Sequence, residues 1–167
     1  MTNAIRILGL DPGLRRTGWG IVECAGVRLV HVAHGVVAPE AEAPLAQRLV
    51  AIHAGVADAI RAWAPQEAAI EEIFVTANGA STLKLGHARA AAILAAASAD
   101  LPVAEYAARF VKKALVGTGA AEKRQVAYMV GRLLPGARLA GADAADALAV
   151  AICHAQMRRV SQLGNVA

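Results

Sequence analysis

The chain has 167 residues, 57% of them hydrophobic and 18% charged, with a formal net charge of +4. That length suits one domain with one substantial core, and that composition excludes a disordered chain. The basic balance is compatible with a nucleic acid partner, while Cys24 and Cys153 form no spaced ligand pattern and fit a reduced cytosolic protein.

Ile5–Leu10 is an apolar run that reads as a buried strand, closed by the turn Asp11-Pro12-Gly13. Gly18–Glu23 and Arg28–Val37 read as two further strands, separated by a short turn around Ala25-Gly26. Such short connections make the three strands antiparallel neighbours. Pro39 and Pro44 bracket an acidic loop before an amphipathic helix, Leu45–Trp63, with Leu45, Leu49, Ile52, Val56 and Ile60 on one face. Pro65 ends that helix, and a short buried strand, Ala68–Glu71, follows. A loop through Asn78-Gly79 leads to a helix over Ser81–Ser98, and Pro102 precedes a strand, Val103–Tyr106. Arg109–Val116 reads as a short helix stopped by Gly117-Thr118-Gly119. Helices Ala121–Leu134 and Ala142–Val160 follow, joined by a loop holding Pro135, Gly136 and Gly141.

This order predicts an α/β fold: a mixed sheet of about five strands, three antiparallel and then parallel, flanked by helices. Residues 1–167 are expected to form a single domain, since no repeat, low-complexity tract or linker interrupts them. The start MTNAIRILGLDPG lacks the pattern of a signal peptide, and the alanine-rich Ala88–Ala99 contains Arg89 and is too short to span a bilayer. A soluble cytoplasmic protein, without membrane association, is the expectation.

Four acids stand in settings where acids are unexpected. Asp11 ends the first apolar run, Glu71 interrupts Ala68-Ala69-Ile70, and Asp143 and Asp146 sit among alanines at i,i+3 spacing, on one helix face. Burying one carboxylate is costly and several together repel, so such acids usually pair with cations or hold a metal. Mg²⁺ prefers hard oxygen ligands of this kind. Glu71 and Glu72 point to opposite faces of a strand, so at most one joins a given site. If Asp11 lies beside Glu71 and the last helix crosses above, the cluster suits two Mg²⁺ ions roughly 3.5–4 Å apart. Simpler readings stand beside this one. Asp-Pro-Gly is a common turn, Asp143 and Asp146 suit the first turn of a helix, and Glu71 can be a strand-end acid facing water.

Lys112, Lys123 and Arg124, with Lys113, flank the Gly117-Thr118-Gly119 loop and offer a phosphate platform, although solvated helix faces carry the same charges. Phe74 follows the Glu71 strand, where an aromatic either anchors a loop or stacks on a base. Lys84 and Arg89 fit a DNA face or a subunit interface, and spacing does not choose. Ala88, Ala91, Ala92, Ala95 and Ala96 permit close helix approach in a dimer seam or in the core. His31 and His34, at odd spacing on a strand, should face opposite sides, which argues against a metal pair. His87 is expected to be structural, His154 lies too far along the last helix to join the acids, and Trp19 and Trp63 are expected to pack.

The blocks LGLDPGLRRTGWG, AAIEEIF, LKLGHARA, EYAARFVKKALVGTGAAEKRQV and ADAADALAVAICH occur in this order. Together they make the chain resemble the RuvC-type Holliday junction resolvases, from Ile7 to about His154. The resemblance implies a ribonuclease H-like fold and a crossover junction endodeoxyribonuclease. It makes Asp11, Glu71, Asp143 and Asp146 the catalytic, metal-binding acids, with Glu71 rather than Glu72 in the family's A-I-E motif. The implied cofactor is Mg²⁺, two ions per active site, with Mn²⁺ a possible substitute. Lys112 and Lys123 take the places of family lysines important for cleavage, and Phe74 takes that of an aromatic at the junction centre. The implied partners are four-way junction DNA, a second copy in a homodimer, and the branch-migration proteins RuvA and RuvB. The implied products of paired nicks on strands of like polarity are 5′-phosphate and 3′-hydroxyl ends. Two positions depart or vary. Leu14 stands where a small polar residue is common, and a histidine can replace the acid at the place of Asp143.

Three other readings compete. A sugar-kinase or actin-like protein shares the GLDPG and Thr17-Gly18 pattern but needs two such domains. A non-catalytic binding module would have no use for four acids facing phosphate. A nuclease acting on RNA–DNA hybrids would keep the metal site and change the substrate.

Overall fold

The computed structural model describes residues 3–139 and 141–164, with side chains described through residue 161. Five strands form one sheet: β1 (Ile5–Asp11), β2 (Thr17–Ala25), β3 (Arg28–Val37), β4 (Glu67–Glu71) and β5 (Val103–Tyr106), in the order β3-β2-β1-β4-β5. The first three pair antiparallel, and β4 and β5 continue parallel to β1. Helices α1 (Leu45–Trp63), α2 (Gly79–Ala97), α3 (Ala108–Val116), α4 (Lys123–Leu133) and α5 (Ala142–Gly164) cover the two faces. Among the described residues no helix is long and apolar enough to cross a membrane.

Strand alternation divides the core. Leu8, Leu10, Ala68 and Ile70 pack with Ile52, Val56 and the alanines of α2 on one face. Ile7, Val22 and Ala69 pack on the other face with Leu148, Ile152 and α3 and α4. Ala88, Ala91, Ala92, Ala95 and Ala96 are all buried in the first cluster, so this stripe belongs to the core. Trp19 and Trp63 pack there as well.

Most element ends follow local chemistry. The αL residue Ala64 closes α1 just before Pro65. Helix α2 begins earlier than Ser81 because the Asn78 side chain caps it, accepting from the Ser81 N–H at 3.2 Å. Helix α4 begins later than Ala121 because Glu122 is its N-cap, in a reciprocal box with Gln125.

One sequence expectation fails. The β2–β3 register shifts between Ile21 and Val22, which pair with Ala33 and His31 and leave Val32 as the extra residue of a bulge. The bulge turns His31 and His34 to the same side, where His31 Nε2 and His34 Nδ1 lie 2.8 Å apart. Opposite facing is therefore wrong for this pair, although neither ring lines the acid cleft described below.

Candidate active site

Asp11 and Glu71 end neighbouring parallel strands, one step beyond the Leu10–Ile70 register pair. Alternation places both on the face that α5 covers, because Ile7 and Ala69 lie in that core. Glu72 is exposed beyond the strand, and its N–H donates to the Tyr106 carbonyl at 2.8 Å.

Helix α5 reaches these acids because the strands beneath it lack side chains where it crosses. A Cβ at Gly9 would overlap the Ala147 carbonyl oxygen, and one at Gly18 would overlap that of Asp143. The helix itself presents small residues, with Ala144, Ala145, Ala147 and Ala151 buried. Asp146, in its second turn, thereby comes to the end of β1. Asp11, Glu71 and Asp146 line one cleft of ≈ 140 Å³ with Lys112, Lys123, Val111 and Val126. The site lies at the carboxyl ends of parallel strands, the usual place for ligands in α/β sheets.

The charges interact strongly. Burial, then the charges of Asp146 and Glu71, push the Asp11 carboxyl up to about 7 against the opposing pull of Lys123. Burial and Asp146 also raise Glu71, opposed by Lys112 and Lys123. Lys123 Nζ donates to Asp146 Oδ2 at 3.0 Å, and this bond raises the lysine. Among the described residues no three imidazole, thiolate or carboxylate groups close tightly enough to enclose an ion. Two of the acids are instead held by cations: Asp146 by Lys123, and Asp143 by Arg16 Nε at 2.7 Å. A crowd of hard oxygen donors whose burial and mutual repulsion hold protons on is the donor set a divalent cation relieves.

The other expected residues divide. Asp143 sits in the first turn of α5, pairs with Arg16 and borders a second cavity rather than the cleft, while still contributing to the raised Asp11 carboxyl. Phe74 is 59% exposed, so it is not a buried anchor. Arg124 is exposed and its Nε donates to Glu122 Oε2 at 2.9 Å, away from the cleft lining. Arg89 donates to the Glu71 carbonyl at 3.2 Å and pairs with Glu105, so it secures the end of β4. His87 borders a groove between α1 and α2, with its Nδ1 buried and unpartnered. His154 lies outside the cleft and joins Tyr106 and Glu67, each at 2.8 Å. Arg16 and Arg48 escaped the sequence reading. The adjacent Arg15 and Arg16 after Asp-Pro-Gly were the available signal, whereas Arg48 was one polar residue within an amphipathic helix.

Residues 7–154 match the family described as Crossover junction endodeoxyribonuclease RuvC. A relative of that name from Maricaulis maris is 63% identical over 167 residues, covering 100% of both chains. Another, from a Caulobacter species, is 60% identical over 154 residues, 92% of this chain and 91% of the relative. Among solved structures, T. thermophilus RuvC in complex with Holliday junction substrate is similar at a TM-score of 0.86 and 33% identity, over 94% of this chain and 96% of that one. The strand order and helix placement define a ribonuclease H-like nuclease fold. The chain belongs to the crossover junction endodeoxyribonuclease RuvC family, whose members are Holliday junction resolving endonucleases.

Proposed function

We propose that this chain is a metal-dependent endonuclease that resolves four-way DNA junctions in recombination and repair. It makes paired nicks on strands of like polarity and leaves 5′-phosphate and 3′-hydroxyl ends. The observation that carries this reading is the meeting of Asp11, Glu71 and Asp146 with Lys112 and Lys123 in one cleft. The raised carboxyls of Asp11 and Glu71 fit a divalent cation, which we take to be Mg²⁺, two per site, with Mn²⁺ as a substitute. Asp11, Glu71 and Asp146 would hold it, with Asp143 completing the set when it leaves Arg16. Bound there, such ions lower the pKa of water and compensate charge on the leaving 3′ oxygen. Lys112 and Lys123 then neutralise the phosphate beside the acids. Phe74, exposed on the loop after β4, stacks on a base left unpaired at the junction centre, and Arg124 contacts the backbone.

Resolution needs two coordinated cuts, and a two-fold dimer supplies them. A groove between α1 and α2, lined by Leu49, Val50, His53, His87, Ala91 and Leu94, supports a homodimer, with Val50 68% and Leu94 58% exposed. The 167 residues form one nuclease domain that works in the cytoplasm with RuvA and RuvB.

Competition experiments test the substrate. A labelled four-way junction should be cut in Mg²⁺ despite excess linear duplex or RNA–DNA hybrid of the same sequence. Preferential cutting of the hybrid would keep the metal site and overturn the junction reading.

A further inference from the structure

A second cavity, of ≈ 560 Å³, adjoins Asp143. Its charged lining is Arg15, Arg16, Arg48 and Lys84 against that one acid. The four cations come from three separate segments: the loop after β1, α1 and the second turn of α2. Arg48 is fixed by a bond from Nη2 to the Leu14 carbonyl at 2.9 Å, yet its Nε is buried with no hydrogen-bond partner. A buried guanidinium N–H without an acceptor is costly, and so is the gathering of like charges. The gathering of charge is relieved by an anion that offers several acceptor oxygens. The apolar side chains of the lining are Leu14 and Leu85, outnumbered by the four cations. A phosphodiester meets these requirements, since guanidinium groups bind phosphate oxygens in pairs and lysine adds charge.

We propose that this cavity binds a DNA backbone phosphate next to the one being cut, and that Arg16 exchanges Asp143 for it. The inference rests on the junction-nuclease reading. Asp143 is the link: it borders this cavity, pairs with Arg16 and adds to the field at Asp11. When a phosphate takes the Arg16 guanidinium, Asp143 is released toward the acid cluster as DNA arrives. Arg16 is thus a positioning residue for Asp143 and a direct ligand of the strand.

Arg16 and Lys84 are exposed enough to change without unfolding the chain. The test is junction binding in EDTA by fluorescence anisotropy, with wild type and the Arg16→Gln, Lys84→Gln double variant. A salt series is combined with junctions carrying one neutral methylphosphonate at successive positions around the cut. The variant should show a salt slope shallower by about 1, since one lost phosphate contact removes about 0.9. Wild type should lose more affinity than the variant at one methylphosphonate position beside the cut, with equal losses elsewhere. A variant with the wild-type slope and the same loss at every position would overturn the proposal, provided wild type binds and, with Mg²⁺, cuts. A wild type that does not bind junctions would overturn the underlying reading instead. Without DNA, Arg16→Gln alone should bind Mn²⁺ several-fold more tightly and Lys84→Gln should not; equal affinities would overturn the exchange at Arg16.

Discussion

Asp11 stands at the end of β1 with its carboxyl pushed up to about 7, by burial first and then by Asp146 and Glu71. Its ordinary value is 3.8. A raised carboxyl works against the fold: there is no penalty below the unfolded value, the penalty grows as pH rises between the two values, and it is complete above the folded one. Asp11→Asn should therefore stabilise the metal-free protein at pH 8 by about 1–4 kcal/mol and change little at pH 4, in thermal melts. Mg²⁺ should raise the wild-type melting temperature more than that of the variant. No gain for the variant at pH 8 would contradict this crowding of acids. The acids themselves were legible in the sequence because each broke or closed an apolar run. The pairing of Arg16 with Asp143 was not, because it joins positions 127 apart along the chain. The His31 and His34 contact was hidden for another reason, since alternation assumes an unbroken register and the bulge at Val32 breaks it.

Two contacts of α5 set the geometry of the site. One is its close approach over Gly9, where a Cβ has no room beside the Ala147 backbone. Gly9→Ala should destabilise the protein by about 1–3 kcal/mol, read by urea unfolding, because a backbone contact yields less than a flexible side chain. The other is the tie to the start of β4, where Arg158 Nε and His154 Nε2 reach Glu67 at 2.7 and 2.8 Å. Burial alone would raise Glu67, but bonds to Arg158 and His154 outweigh it and lower the carboxyl below its ordinary 4.5. A depressed carboxyl contributes stability above its unfolded value and loses it as pH falls through the folded one. Glu67→Ala should accordingly cost about 1–3 kcal/mol at neutral pH, and the difference from wild type should shrink below pH 4.5. Element type was plain in the sequence, and α1, β3 and β5 keep the bounds that periodicity and prolines set. The starts of α2 and α4 moved because a cap residue decides them, and caps are chosen by single side chains rather than by a repeating pattern.

For the whole molecule, the sheet order follows from the sequence of short and long connections. Hairpins force β1–β3 to run antiparallel, and helical crossovers return β4 and β5 parallel to β1. The proposed seat of a second copy is not written in that order, because an exposed apolar groove between α1 and α2 depends on which helix faces remain uncovered. Val50→Glu with Leu94→Glu should give a monomer in sedimentation that still nicks junctions but no longer pairs its cuts. A dimer that survives both changes would move the interface elsewhere. Asp11, Glu71 and Asp146 are proposed to form a metal-dependent centre for cutting four-way DNA junctions. Its most direct test is cleavage of a labelled junction by wild type and Asp11→Asn, each with Mg²⁺ and with EDTA. Paired nicks by wild type in Mg²⁺ alone, with the variant inactive but still bound to the junction, are the expected result. Equal cutting by the variant, or cutting that survives EDTA, would contradict it.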